Sequence, residues 1–204
     1  MPDDRSVPTG GDDVTFDAFM SYSHGDDRIA QSVQDGLQKL AKPWYKRRAL
    51  HVFRDTSALS ANPDLWAAIS TALADARFFI LVASRASAAS EWVGREIEQW
   101  LDTKSARQML IVLTDGDIEW VRQAGDFDWD RSTALHPALR GAFDQEPLYL
   151  DLRWAHDVPE LSLRLTRFRD CVADLAAPIH GKAKDDLEGD DLREQRKLRR
   201  VARA

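Results

Sequence analysis

The chain has 204 residues, of which 44% are apolar, 30% charged and 9% aromatic, with 10 Gly and 8 Pro; this is the profile of a globular chain with one main core, neither low-complexity nor fibrous. Its net charge is -6 and its bases are scattered over the first 181 residues, so the body offers no basic face to nucleic acid. The single cysteine, Cys171, excludes an internal disulfide and fits a reducing cytosol, and neither a signal-type apolar region nor a run of 18 apolar residues is present, so the chain as given reads as cytoplasmic.

Residues 1–13 hold four aspartates and little to bury, and read as a disordered leader, with the fold starting at Val14. Phe16 to Ser21 is the first expected strand. A helical pattern follows from Asp27 to Lys42, with Ile29, Val33, Leu37 and Leu40 in one stripe. Leu50 to Phe53 reads as a second strand and Pro63 to Asp75 as a helix striped by Leu65, Ile69 and Leu73. Phe78 to Ala83 is apolar without alternation, the mark of a strand covered on both faces. Next come a helix over Ser90 to Asp102, a strand over Met109 to Leu113, a Trp-containing insertion, and a short helix from Thr133 to Phe143. Leu148 to Leu150 is the fifth strand and Leu161 to Leu175 the last core helix. Five strands separated by helices predict a doubly wound, parallel α/β sheet. The domain is expected over 14–178. From 179 to 204 a charged helical linker is expected, acidic over 185–191 and then basic from Arg193 to Arg203, solvated rather than part of the core.

The usual catalytic signatures are missing: no Walker loop, G-x-S-x-G, H-E-x-x-H or G-x-G-x-x-G occurs, and the five histidines are too dispersed to suggest a metal site. A phospho-acceptor receiver would need an aspartate after the central strand, which here ends Val82-Ala83-Ser84. What remains are the strand ends, where doubly wound sheets bind ligands. Ser21-Tyr22-Ser23-His24-Gly25-Asp26-Asp27 is a polar turn before a helix; it reads either as a phosphate-facing helix start or as a turn capped by Asp26 or Asp27. Arg54 and Asp55 open a loop running from Thr56 to Pro63, and they read either as ligand contacts or as a mutual surface pair. In the helix Ser90 to Leu101, Val93, Ile97 and Leu101 form one stripe, and Trp92, Glu96 and Trp100 the adjoining one. That sets a carboxylate between two indoles, in a setting that favours a nearby cation; the plainer alternative is an exposed helical glutamate.

Taken together, Phe16-Asp17-Ala18-Phe19-Met20-Ser21-Tyr22-Ser23, Val52-Phe53-Arg54-Asp55 through Leu59, and Ser90-Glu91-Trp92-Val93-Gly94-Arg95-Glu96 resemble the strand motif, the second motif with its BB loop, and the W-x-x-x-E helix of bacterial Toll/interleukin-1 receptor (TIR) domains. The match covers roughly residues 14–150. The resemblance implies a flavodoxin-like fold and, as in many bacterial and plant members, cleavage of the nicotinamide glycosidic bond of NAD+, with a place in bacterial defence or cell-death signalling. It implies Glu96 as the catalytic carboxylate and Ser21, Tyr22, Ser23, His24, Arg54, Asp55, Trp66 and Trp92 as substrate-binding residues, with NAD+ as substrate and no cofactor or metal. It also implies other TIR domains as partners, assembled through the loop after Asp55. Ser23 and His24 stand where some active relatives carry arginines. The rival is a scaffold that signals by stacking alone; a nucleoside or glycosyl hydrolase of another kind shares the chemistry but has no supporting motif. Six bases between Arg193 and Arg203 fit either a cytoplasmic segment before a membrane span or a linker to another soluble domain.

Overall fold

The computed structural model describes residues 16–42, 48–54 and 65–201. The expected leader, Asp55 and the loop from Thr56 to Pro63 lie outside the described residues. In chain order the elements are β1 (Ala18–Ser21), α1 (Asp27–Lys39), β2 (Val52–Arg54), α2 (Leu65–Asp75), β3 (Phe78–Ala83), α3 (Arg85–Ala88) and α4 (Glu91–Thr103). They continue with β4 (Met109–Leu113), β5 (Trp120–Val121), β6 (Asp126–Phe127), β7 (Tyr149–Asp151), α5 (Thr166–His180) and α6 (Lys184–Val201), with 3-10 turns between them.

Among the described residues, five strands pair in the order β2-β1-β3-β4-β7, all parallel. This is the flavodoxin-like, doubly wound sheet. Its central strand explains why the apolar run did not alternate. Ile80 and Val82 face one core with Ala18, Met20, α1 and α5, while Phe79, Leu81 and Ala83 face the other with Phe19, α2 and α4. Both faces are dry, so both sets of side chains must be apolar.

Three expectations are corrected. The helix expected over Thr133 to Phe143 is reduced to one 3-10 turn, Pro137–Leu139, capped by the His136 side chain. Pro137 has no N–H for the Thr133 carbonyl and holds His136 before it in the extended region, so a helix cannot run from Thr133 through it; the hydroxyls of Thr133 and Ser132 accept instead from the backbone N–H groups of Asp117 and Glu119. The insertion instead carries the small antiparallel ribbon β5-β6, packed by edge-on rings of Trp120, Trp129 and Phe143 against Phe127. The last core helix starts at Thr166 rather than Leu161 and runs through Pro178 to His180. It stops at Gly181, whose φ of 63° suits glycine; Gly181 N–H bonds the Pro178 carbonyl and Lys182 N–H bonds that of Ala177. Beyond it, α6 is not solvated throughout. Leu187 is buried in the core, and Asp191, also buried, accepts the Ala41 N–H at 3.0 Å. An acidic composition hid one apolar side chain placed to dock the helix.

Candidate functional site

The chain leaves β1 for α1 on one face of the sheet and, beyond β3 and the short α3, α4 packs on the other face, so a crevice opens at the carboxyl end of β1. It is lined by Met20, Tyr22, Ser23, His24, Leu65, Ser90, Trp92 and Glu96 and encloses about 350 Å³. A larger hollow of about 710 Å³ lies between α1 and residues 160–164, away from the strand ends. The smaller cleft gathers the acid, the indole and the polar turn.

Glu96 reaches this cleft because α4 is held on two sides. Ser90 caps its start by accepting the Val93 N–H, and Gln99 accepts the Ser70 hydroxyl of α2 at 2.9 Å. The Lys104 ammonium, just past α4, donates to the carbonyls of Leu73, Ala74 and Ala76 at the end of α2. Val93, Ile97 and Trp100 are buried, Trp100 against Phe79. Glu96 is therefore no exposed helical glutamate: it is 2% exposed, and its Oε2 accepts the Ser21 hydroxyl at 2.5 Å. Glu91 and Glu98 face solvent.

The other sequence-derived residues separate into two groups. Tyr22, Ser23, His24 and Trp92 line the cleft with Glu96. Ser21, Arg54 and Trp66 do not line it and stand behind it. Ser21 is 1% exposed and spends its hydroxyl on Glu96. Trp66 meets Trp92 edge-on at 5.3 Å, and the Arg95 guanidinium lies 4.0 Å over Trp66 and 5.3 Å from Trp92. The cation favoured by the indoles is thus supplied by the chain itself. Arg54 donates to Tyr22 Oη at 3.0 Å, to Gln34 at 3.0 Å and to Asp27. Burial pushes the Tyr22 phenol above its ordinary pKa, and the Arg54 charge pulls it back in part.

Sequence reasoning missed Met20, Leu65 and Ser90 as lining residues, and of its readings of the turn the cap by Asp26 does not form. That carboxylate is buried and accepts from Ser23, Ser84 and Thr114. Among the described residues no group of three or more His, Cys, Asp or Glu is placed to hold a metal ion.

A family model described as the TIR domain matches residues 18–134. An NAD(+) hydrolase, ApTIR, from a species of Actinoplanes is 50% identical over 191 residues, which is 93% of this chain and 26% of that protein. The chain thus spans about a quarter of the length of this relative. With the matched segment running from β1 through the insertion, and with the residues after β1 and the W-x-x-x-E helix lining the cleft, the chain belongs to the TIR domain family.

Proposed function

We propose that the chain cleaves the bond between nicotinamide and the adjoining ribose C1′ of NAD+, releasing nicotinamide and ADP-ribose or a cyclised ADP-ribose. The observation that carries this reading is Glu96: an acid 2% exposed, in the wall of a cleft, with one oxygen already held by Ser21. The likeness to an NAD(+) hydrolase supports the same substrate. A scaffold that only stacks has no use for a carboxylate withdrawn from water into a cleft.

As the C1′–N bond lengthens, its electron pair leaves with nicotinamide, and the ribosyl centre becomes oxocarbenium-like. Glu96, the catalytic residue, binds the ribose hydroxyls and stabilises that positive charge in a site of low polarity. Water then adds at C1′ and its proton passes to solvent; addition of a group of the adenosine half gives the cyclic product instead. A neutral pyridine leaves without a general acid, so one carboxylate suffices. Trp92 stacks on the nicotinamide ring, and Tyr22, Ser23 and His24 meet the ribose and phosphates. Ser21 orients Glu96, and Arg54 orients Tyr22. NAD+ is substrate, and no cofactor takes part.

The protein works in the cytoplasm, in bacterial defence or cell-death signalling, and assembly with other TIR domains through residues 56–62 completes the cleft. No helix among the described residues is long and apolar enough to cross a membrane; the basic end of α6 lies near the cytoplasmic face of one. Incubation of concentrated protein with NAD+, followed by chromatography, should yield nicotinamide at a rate rising faster than linearly with protein. Glu96→Gln should fold and release none. Release by a folded Glu96→Gln protein overturns the assignment.

A further inference from the structure

One carboxylate ties together the carboxyl ends of three strands. Asp26, 3% exposed, closes the 3-10 turn after β1. Its Oδ2 accepts from Ser23 at 2.8 Å and from Ser84, just past β3, at 2.6 Å; its Oδ1 accepts from Thr114, just past β4, at 2.7 Å. Two of these donors are fixed to the sheet. Ser84 exchanges two hydrogen bonds with Ser87 at 2.8 and 3.0 Å, and the Thr114 N–H bonds the Ala83 carbonyl at 2.8 Å. The third donor, Ser23, sits on the turn itself and lines the cleft beside Tyr22 and His24.

Asp26 occupies the position before α1 where a carboxylate ordinarily caps the helix, yet it makes no such bond. Its side-chain bonds instead join the turn, through Ser23, to Ser84 and Thr114 on the sheet. Within the turn the Asp26 N–H bonds the Ser23 carbonyl at 2.9 Å and the Asp27 N–H bonds that of His24, ties that fix its shape but not its place on the sheet.

We infer that Asp26 is a positioning residue for the substrate cleft: through Ser23 it clamps the wall formed by residues 22–24 to the ends of β3 and β4, so that a nucleotide meets a preset surface. This rests on the reading of NAD+ as substrate. The Asp26 carboxylate bonds Ser23, Ser84 and Thr114 and neither Glu96 nor Ser21, so its effect falls on binding rather than on bond cleavage.

Asp26→Asn keeps the shape and can turn its amide nitrogen toward Thr114, whose hydroxyl still has the Ala83 carbonyl as acceptor at 3.1 Å. The oxygen shared by Ser23 and Ser84 becomes an uncharged, weaker acceptor, and Ser23, which lacks Ser84's second tie to Ser87, is the one that loosens. KM for NAD+ should rise about three- to tenfold, the worth of one hydrogen bond, with kcat near wild type. In a Ser23→Ala background the same substitution should add nothing to KM, an outcome that a merely structural role would not produce. Hydrogen exchange gives a readout free of activity: amides of residues 23–25 should exchange faster in Asp26→Asn while those of Ile80 and Leu81 stay protected. If Asp26→Asn fails to fold, Ser84→Ala removes one anchor and should loosen the same amides. Wild-type protein that releases no nicotinamide defeats the substrate reading and leaves the exchange result to decide the clamp. Unchanged exchange at 23–25, or KM effects that add fully in the double variant, overturns the inference.

Discussion

Gly94 sits inside the W-x-x-x-E segment of α4, two residues before Glu96, and its substitution by alanine should destabilise the protein, contrary to the ordinary effect in a helix. A methyl group there would run into the His136 ring, meeting Nδ1 at 3.1 Å and Cε1 and Nε2 closer still. The ring cannot swing aside cheaply. Its Nδ1 accepts the Ala138 N–H at 3.1 Å and caps the turn Pro137–Leu139, whose Leu139 is fully buried. Overpacking costs about 1–3 kcal/mol, and a lost cap about 1 kcal/mol more. Replacing glycine in a helix interior returns roughly 0.5–1 kcal/mol. The net loss is about 1–3 kcal/mol, a fall in Tm of roughly 3–10 °C for a domain of this size. Thermal and urea unfolding measure it. The control is His136→Ala, which empties the space: in that background Gly94→Ala should stabilise by about 0.5–1 kcal/mol, so the sign inverts. A rise in Tm with His136 present, or a fall with it absent, refutes the contact as the cause.

Glu96→Ala should cost about 1–3 kcal/mol because it removes the acceptor of the buried Ser21 hydroxyl, whereas Glu96→Gln keeps an acceptor and should unfold close to wild type in urea; equal midpoints for the two variants would show that the bond contributes nothing. Burial holds His51 and His136 below their ordinary value of 6.5, with Arg48 adding to the effect on His51. Each therefore takes up its proton in the unfolded chain first, so stability is complete above about pH 6.5 and falls as pH drops from there through the folded values. Urea midpoints at several pH values should show the decline, and His136→Ala should flatten it; a slope unchanged by that substitution removes His136 from the account.

The central sheet was legible because a strand covered on both faces must be apolar at every position, and Phe78 to Ala83 is. Glu96 was legible in part: helical spacing sets it between Trp92 and Trp100 but left an exposed glutamate open, and burial of Val93, Glu96 and Ile97 fixes which way that stripe turns. The insertion was not legible. Its ribbon strands are two residues long, too short for any period; the break in the would-be helix lies at Pro137, which holds His136 extended. The role of Asp26 was not legible because its two anchors lie 58 and 88 residues further along the chain. A local reading assigns an aspartate before a helix to the cap. Only the parallel order β1-β3-β4 brings Ser84 and Thr114 to the same strand-end layer.

Arg54 shows how a residue can belong to a site without touching what binds there. The strand end points it toward the cleft, but its side chain is 10% exposed and is held by Tyr22, Gln34 and Asp27. Its charge is already answered by Asp27, so it contributes geometry to Tyr22 rather than a free cation to a phosphate. Lysine cannot replace it, since one ammonium cannot reproduce a fork that serves Gln34 through Nε and Tyr22 and Asp27 through Nη1. Arg54→Lys and Arg54→Met should therefore weaken NAD+ binding to a similar degree. The phenol reports the change directly. Burial raises the Tyr22 pKa and Arg54 opposes the rise, while Asp27 adds to it. Removing Arg54 leaves burial and Asp27 unopposed, so Tyr22 should ionise at higher pH in Arg54→Met than in wild type. Difference absorbance against Tyr22→Phe isolates that phenol from the other two tyrosines. A downward shift, or none, would mean that Arg54 does not hold Tyr22, and the division between lining and supporting residues would have to be redrawn.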